Sequence, residues 1–135
     1  MKKLFLVFLM AFALLAVSCF AKGKITKGDS MVSYKSVSMA EGLELMKNDR
    51  NYILLDVRTL EEYDSGHIPG ALQLTNETFT KEDAEKILKN KNQNIYVYCR
   101  SGRRSKNSSQ KLIDFGYTSV IEIGGIMSYS GNLEY

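Results

Sequence analysis

Apolar residues recur along this chain in two rhythms, and the rhythms alternate. Residues 52–57 (YILLDV), 71–74 (ALQL), 94–98 (NIYVY) and 119–123 (SVIEI) are apolar-rich runs of strand length. The run at 52–57 is nearly continuous in apolar residues, as strands buried on both faces are. Helical stretches lie between the runs. Ser38 followed by Glu41 is a capping box for a helix reaching about Lys47. Residues 60–64 form a short helix, and Thr80 with Asp83 opens another that reaches about Lys89. Residues 103–115 form a longer helix, with Gly116 placed as the glycine that follows a helix end. Residues 34–37 add an edge strand, and Gly124-Gly125 starts a final short segment.

Strands alternating with helices at this spacing predict βαβ units. The fold class is therefore α/β, with a central, mainly parallel sheet of about five strands and helices on both faces. In such sheets the site lies at the carboxyl ends of the strands. Asp56 and Cys99 each occupy such an end. On the helix over residues 103–115, Ser105, Ser108, Ser109 and Leu112 share one face. Small side chains there let the helix approach the sheet closely, which is the reading preferred for Ser108 and Ser109.

The N-terminus has a different character. Met1-Lys2-Lys3 is basic, and residues 4–17 are apolar and uncharged, a run short for a bilayer span. Residues 1–18 therefore read as a signal peptide rather than a transmembrane anchor. Ala16-Val17-Ser18-Cys19 resembles a lipobox, which makes Cys19 the expected lipidation site. Ordinary cleavage, for example after Ala21, is the competing reading. Residues 19–33 read as a flexible tether and residues 34–135 as the folded domain. The expected location is outside the cytoplasm, as a periplasmic or membrane-anchored lipoprotein. Contact with a membrane is expected only through the lipid.

Removal of the leader also alters the charge. The chain carries 18 Lys+Arg and 15 Asp+Glu, and losing Lys2 and Lys3 leaves 16 against 15, or +1. That balance gives no basis for nucleic-acid binding. The two cysteines are Cys19 and Cys99. With Cys19 lipidated or removed, Cys99 is the only thiol left, and a lone thiol in an exported protein points to reactivity.

The surroundings of Cys99 say what kind. It ends the run at 94–98 and opens a loop with Arg100, Ser101, Gly102, Arg103, Arg104 and Ser105, where a helix begins. Loop N–H groups and the positive end of a helix favour an anion at that point. Gly102 permits the tight path, and the arginines add charge. The expectation is an anion-binding cup that stabilises a nucleophilic thiolate.

These residues resemble the active-site loop of the single-domain rhodaneses, the thiosulfate sulfurtransferase-like proteins, in particular their exported, phage-shock-type bacterial members. Asp56-Val57-Arg58, Glu61-Glu62-Tyr63 and Gly66-His67-Ile68-Pro69-Gly70-Ala71 match the family's DVR, EEY and GHIPGA elements in order. Gly116-Tyr117 and Gly124-Gly125-Ile126 match two later ones, so the resemblance spans residues 34–131. It implies a rhodanese-like three-layer fold, a Cys99 persulfide, a thiosulfate-like donor, and a thiol or cyanide acceptor. It implies that loop N–H groups from Arg100 to Ser105 bind the substrate and that Arg104 closes the loop. No cofactor and no metal are expected.

Related dual-specificity phosphatases place an arginine six positions after the cysteine. Here Arg104 stands five after it and Ser105 six, a shorter loop suited to sulfur. A non-catalytic sulfur carrier or protein-binding domain is the first alternative, and a small phosphatase the second. His67, Asp56, Arg58 and Glu62 are expected to support the site structurally, with Glu62 able to pair with Arg58. The family's tryptophan after the Gly-Gly pair is missing, and Tyr129 stands in for it.

Overall fold

The computed structural model describes residues 31–135. The leader, Cys19 and the tether up to residue 30 lie outside the described residues. The strands are β1 (Lys35–Ser36), β2 (Tyr52–Asp56), β3 (Leu72–Gln73), β4 (Asn94–Cys99) and β5 (Val120–Gly125). The helices are α1 (Met39–Lys47), α2 (Leu60–Asp64), α3 (Lys81–Ile87) and α4 (Arg103–Asp114), with a 3-10 turn over Ile126–Ser128. The strand order is β1-β5-β4-β2-β3, and all four neighbouring pairs run parallel.

Strand β4 shows why the pattern is apolar throughout. Ile95, Val97 and Cys99 enter one core, with Ala84 and Leu88 at α3 and Leu112 of α4. Tyr96 and Tyr98 enter the other, with Met39 and Met46 of α1 and Ile123 of β5. A parallel sheet covered on both faces buries every side chain of its central strand, so both registers must be apolar. The result is the expected three-layer α/β architecture. Among the described residues no helix is long and apolar enough to cross a membrane.

The helix ends follow local chemistry. Capping boxes start α1 (Ser38 with Glu41), α2 (Thr59 with Glu62) and α3 (Thr80 with Asp83). Helix α3 stops at Ile87, short of Lys89, because the next residue, Leu88, leaves helical geometry with its side chain in the core. After α4 the Gly116 N–H bonds to Ile113 O at 2.9 Å and the Tyr117 N–H to Leu112 O at 3.0 Å. That is a Schellman ending, and it puts Gly116 at φ +95°.

Close approach sets the positions of the layers. Ser105, Ser108, Ser109 and Leu112 form the buried face of α4, as the spacing predicts. Burying a side chain such as Leu112 is worth roughly 1.5–3 kcal/mol, and the serines beside it keep α4 near the sheet. The Ser108 hydroxyl donates to Asn76 Oδ1 at 2.6 Å. Tyr129 packs at the rim of the α1-side core. The C-terminal segment folds back on the loop after α2. His67 N–H bonds to Glu134 O, and Glu134 N–H to His67 O, both at 2.9 Å.

Candidate active site

Cys99 is the last residue of β4, at the carboxyl edge of the sheet. Asp56 ends β2 at the same edge and is paired in register with Tyr98. Cys99 is 1% exposed, and its Sγ accepts the Gly102 N–H at 3.0 Å. Between these two residues the chain reverses and enters α4. Gly102 takes φ +116°, a left-handed conformation that a Cβ would disfavour. The first turn of α4 follows directly, so the helix N-terminus begins one residue after the N–H that reaches the sulfur.

The loop rests on the end of β5. A Cβ on Gly125 would sit 2.1 Å from the Arg100 carbonyl oxygen, so only glycine fits there. The Met127 N–H donates to that same oxygen at 3.3 Å. Below the loop, the Cys99 thiol faces the Ser105 hydroxyl at 3.5 Å.

The three loop arginines divide. Arg100 and Arg103 are exposed, as is Ser101. Arg104 is half-buried and forks onto Glu62 with two 2.8 Å bonds, Nη1 to Oε2 and Nη2 to Oε1. That corrects the expected pairing of Glu62 with Arg58. Glu62 sits in the first turn of α2, where it accepts the Thr59 N–H at 2.9 Å and faces outward across the loop. The Arg104 guanidinium holds the Glu62 carboxyl down to about 2.

Arg58 turns inward and takes a different carboxylate. Its Nε and Nη2 bond to Asp56 at 2.7–3.1 Å, and Nη2 also donates to Gly66 O at 2.8 Å. Burial opposes the Arg58 charge, but the bonds to Asp56 outweigh it and raise its pKa. The Tyr98 hydroxyl accepts the Ile68 N–H at 3.1 Å. Burial first, and then the Asp56 charge, push that phenol far above its ordinary range. His67 stacks on Tyr63 with ring centroids 3.7 Å apart, and its Nδ1 meets Tyr63 O at 2.9 Å. The residues of the DVR and GHIPGA elements thus brace one another beside the loop rather than reaching the sulfur.

A sequence profile of the family described as Rhodanese-like domain matches residues 39–132. This chain belongs to that family. A Staphylococcus aureus rhodanese-like domain protein is similar in structure, with TM-score 0.62 at 28% identity, covering 74% of this chain and 96% of that one. A rhodanese with anions from E. coli is similar at TM-score 0.56 and 30% identity, covering 62% and 96%. In sequence the chain is 30% identical to the putative sulfur carrier protein YrkF of Bacillus subtilis, over 84% of this chain. It is 36% identical to the adenylyltransferase and sulfurtransferase UBA4 of Candida albicans, over 67% of this chain. It spans 60% and 22% of those relatives' lengths.

Two groups in this rhodanese-like domain went unmarked in the sequence. Glu122 of β5 is 1% exposed and lies under the loop, its Oε1 accepting the Gly124 N–H at 2.7 Å and the Ser105 hydroxyl at 2.6 Å. The available signal was a lone acid inside the apolar run SVIEI. Asn76 lines a polar cleft of about 460 Å³ with Glu77, Arg103, Arg104, Asn107 and Lys111, along the outer side of α4. Nothing local to Asn76 marked it.

The Glu62–Arg104 bond gives a pH signature. Glu62 titrates lower folded than unfolded, so its stabilisation is complete above about pH 4.5. It is lost as pH falls through about 2. Glu62→Gln keeps the helix cap but removes the charge. The stability gap between wild type and Glu62→Gln in chemical denaturation is therefore expected to be constant near neutral pH. It narrows steadily below about pH 4.5. A gap independent of pH contradicts the assignment.

Proposed function

We propose that this domain is a sulfurtransferase that carries a sulfane sulfur on Cys99. The observation that supports the reading most is the Gly102 N–H aimed at Cys99 Sγ from 3.0 Å, at the mouth of α4. An N–H that close, with a helix N-terminus behind it, favours negative charge on sulfur. The thiolate attacks the outer sulfur of a donor such as thiosulfate. The new S–S bond forms as the donor's own S–S bond breaks, and sulfite leaves with that electron pair. A second nucleophile, a cellular thiol or cyanide in an assay, then takes the outer sulfur, and Cys99 leaves as thiolate. The covalent intermediate divides one transfer into two displacements.

The loop residues have distinct parts in this scheme. The N–H groups from Arg100 to Ser105 receive the charge of the outer sulfur. Arg104, fixed by Glu62, closes the loop, while Arg100 and Arg103 add positive potential at the entrance for an anionic donor. The polar cleft beside Arg103 and Arg104 is the side from which we propose an acceptor approaches. A second reading is a carrier that holds the persulfide without turnover. The name of the Bacillus subtilis relative and the burial of Cys99 favour it. We also propose export, with Cys19 lipidated to anchor the domain outside the cytoplasm.

Both readings predict that thiosulfate adds one sulfur atom to the intact mass of the wild-type protein and none to Cys99→Ser. The sulfurtransferase reading predicts further that cyanide removes that atom as thiocyanate, over repeated turnovers. A persulfide that forms but does not discharge supports the carrier. Hydrolysis of an aryl phosphate with no sulfur uptake supports a phosphatase instead. For the anchor, wild type is expected in the detergent phase of a phase-separation assay and Cys19→Ala in the aqueous phase. Equal partitioning of the two contradicts lipidation.

A further inference from the structure

Glu122 is a buried carboxylate with no cationic partner among the described residues. Its Oε2 accepts the Ser36 hydroxyl at 2.5 Å and its Oε1 the Ser105 hydroxyl and the Gly124 N–H. Among the described residues, none of the ion pairs includes it. The neighbouring elements confirm its isolation. Lys35 on β1 and Arg103 and Lys106 on α4 are exposed, Lys111 is spent on the Asn76 and Phe79 carbonyls, and Arg104 is held by Glu62. Tyr96 and Tyr98 of β4 face the other core. Tyr34 and Tyr117 pack into the core on this side, the Tyr117 hydroxyl donating to Leu88 O, and the titratable group that meets Ser105 is Cys99, with Sγ 3.5 Å from Ser105 Oγ.

Counting protons at Ser105 shows what this line can do. Its oxygen lies 2.6 Å from Glu122 Oε1 and 2.8 Å from Gly102 O, yet it has one hydrogen. Two oxygens 2.6 Å apart require a proton between them. With Glu122 ionised, Ser105 supplies that proton. With Glu122 protonated, Glu122 supplies it, and the Ser105 hydrogen turns to Gly102 O. Both arrangements are satisfied, because Gly102 O also accepts the Lys106 N–H at 3.2 Å.

We propose that Glu122 takes the Cys99 proton through Ser105, so that one negative charge moves between carboxylate and sulfur inside a buried network. The inference rests on the sulfurtransferase reading, in which Cys99 must ionise. The S–H bond breaks and its electron pair stays on sulfur. That proton goes to Ser105 Oγ as the Ser105 proton passes to Glu122 Oε1. Cys99–SH and Glu122 carboxylate become Cys99 thiolate and Glu122 carboxylic acid, with no change in net charge. When an acceptor later removes the outer sulfur, Cys99 leaves as thiolate and can recover the proton. Glu122 acts through Ser105 and is a positioning residue for that proton.

The test is the pH profile of Cys99 reaction with methyl methanethiosulfonate, followed by peptide mass on the full chain. It compares wild type, Glu122→Gln and Ser105→Ala. Without the acceptor, the thiol must lose its proton to solvent. The acid limb is then expected to rise by at least about one pH unit in both variants, slowing reaction about tenfold near pH 6 and little near pH 9. Ser105→Ala alone carries the test if Glu122→Gln does not fold. An unchanged limb overturns the proposal, as does an equal loss at every pH. So does a limb shifted downward in Glu122→Gln, which would mean that the carboxylate merely repels the thiolate. A wild-type Cys99 that reacts with the reagent but takes no sulfur from thiosulfate overturns the sulfurtransferase reading and leaves the proton line standing.

Discussion

The site depends on one close approach of backbone to backbone. The Arg100 carbonyl occupies the space where any side chain on residue 125 would stand, 2.1 Å from an added Cβ. Because Gly125 lets the loop sink that far, the chain after Cys99 can turn within three residues and deliver the Gly102 N–H to the sulfur. The left-handed Gly102 completes the turn, and α4 begins at once. A longer path would carry the helix N-terminus away from Cys99 and weaken its field there, since that field fades within the first turn. The small serines of α4 and the glycine of β5 therefore belong to one constraint, the nearness of a helix end to a strand end.

Two ion pairs then divide the work of position. Arg58 and Asp56 are both buried, and the pair is tied to the Gly66 carbonyl. Removing either partner of such a pair leaves a buried charge, at a cost of about 3–5 kcal/mol. This pair braces the turn carrying His67 and Ile68. Arg104 and Glu62 join α4 to α2 near the surface, where solvent weakens each bond but the forked geometry still fixes direction. Arg104 is thus held beside the loop by Glu62, while Arg100 and Arg103 remain exposed. Glu122, buried beneath with no cationic partner among the described residues, is the counterpart on the inner side.

The parts of this fold that rest on local chemistry were legible in the sequence. The capping boxes at Ser38 and Thr80 marked helix starts, Gly116 marked the end of α4, and the apolar runs marked the central strands. The same capping signal stands at Thr59 with Glu62 at the start of α2. Contacts between distant segments were not legible. Glu62 and Arg104 are 42 residues apart, and Arg58 is nearer to Glu62 in sequence, so proximity suggested the wrong partner. Glu122 was hidden for a related reason. One acid in an apolar strand cannot be assigned a side of the sheet until the register is known, and its partners come from β1, α4 and its own strand.

The central claim is that the loop is shaped to hold a second sulfur on Cys99. A crystal structure of thiosulfate-treated protein tests it most directly. The account predicts an additional sulfur bonded to Sγ within the loop, near the N–H groups from Arg100 to Ser105, with the Glu62–Arg104 fork intact. An unmodified Sγ beside an intact oxyanion in the loop would contradict it.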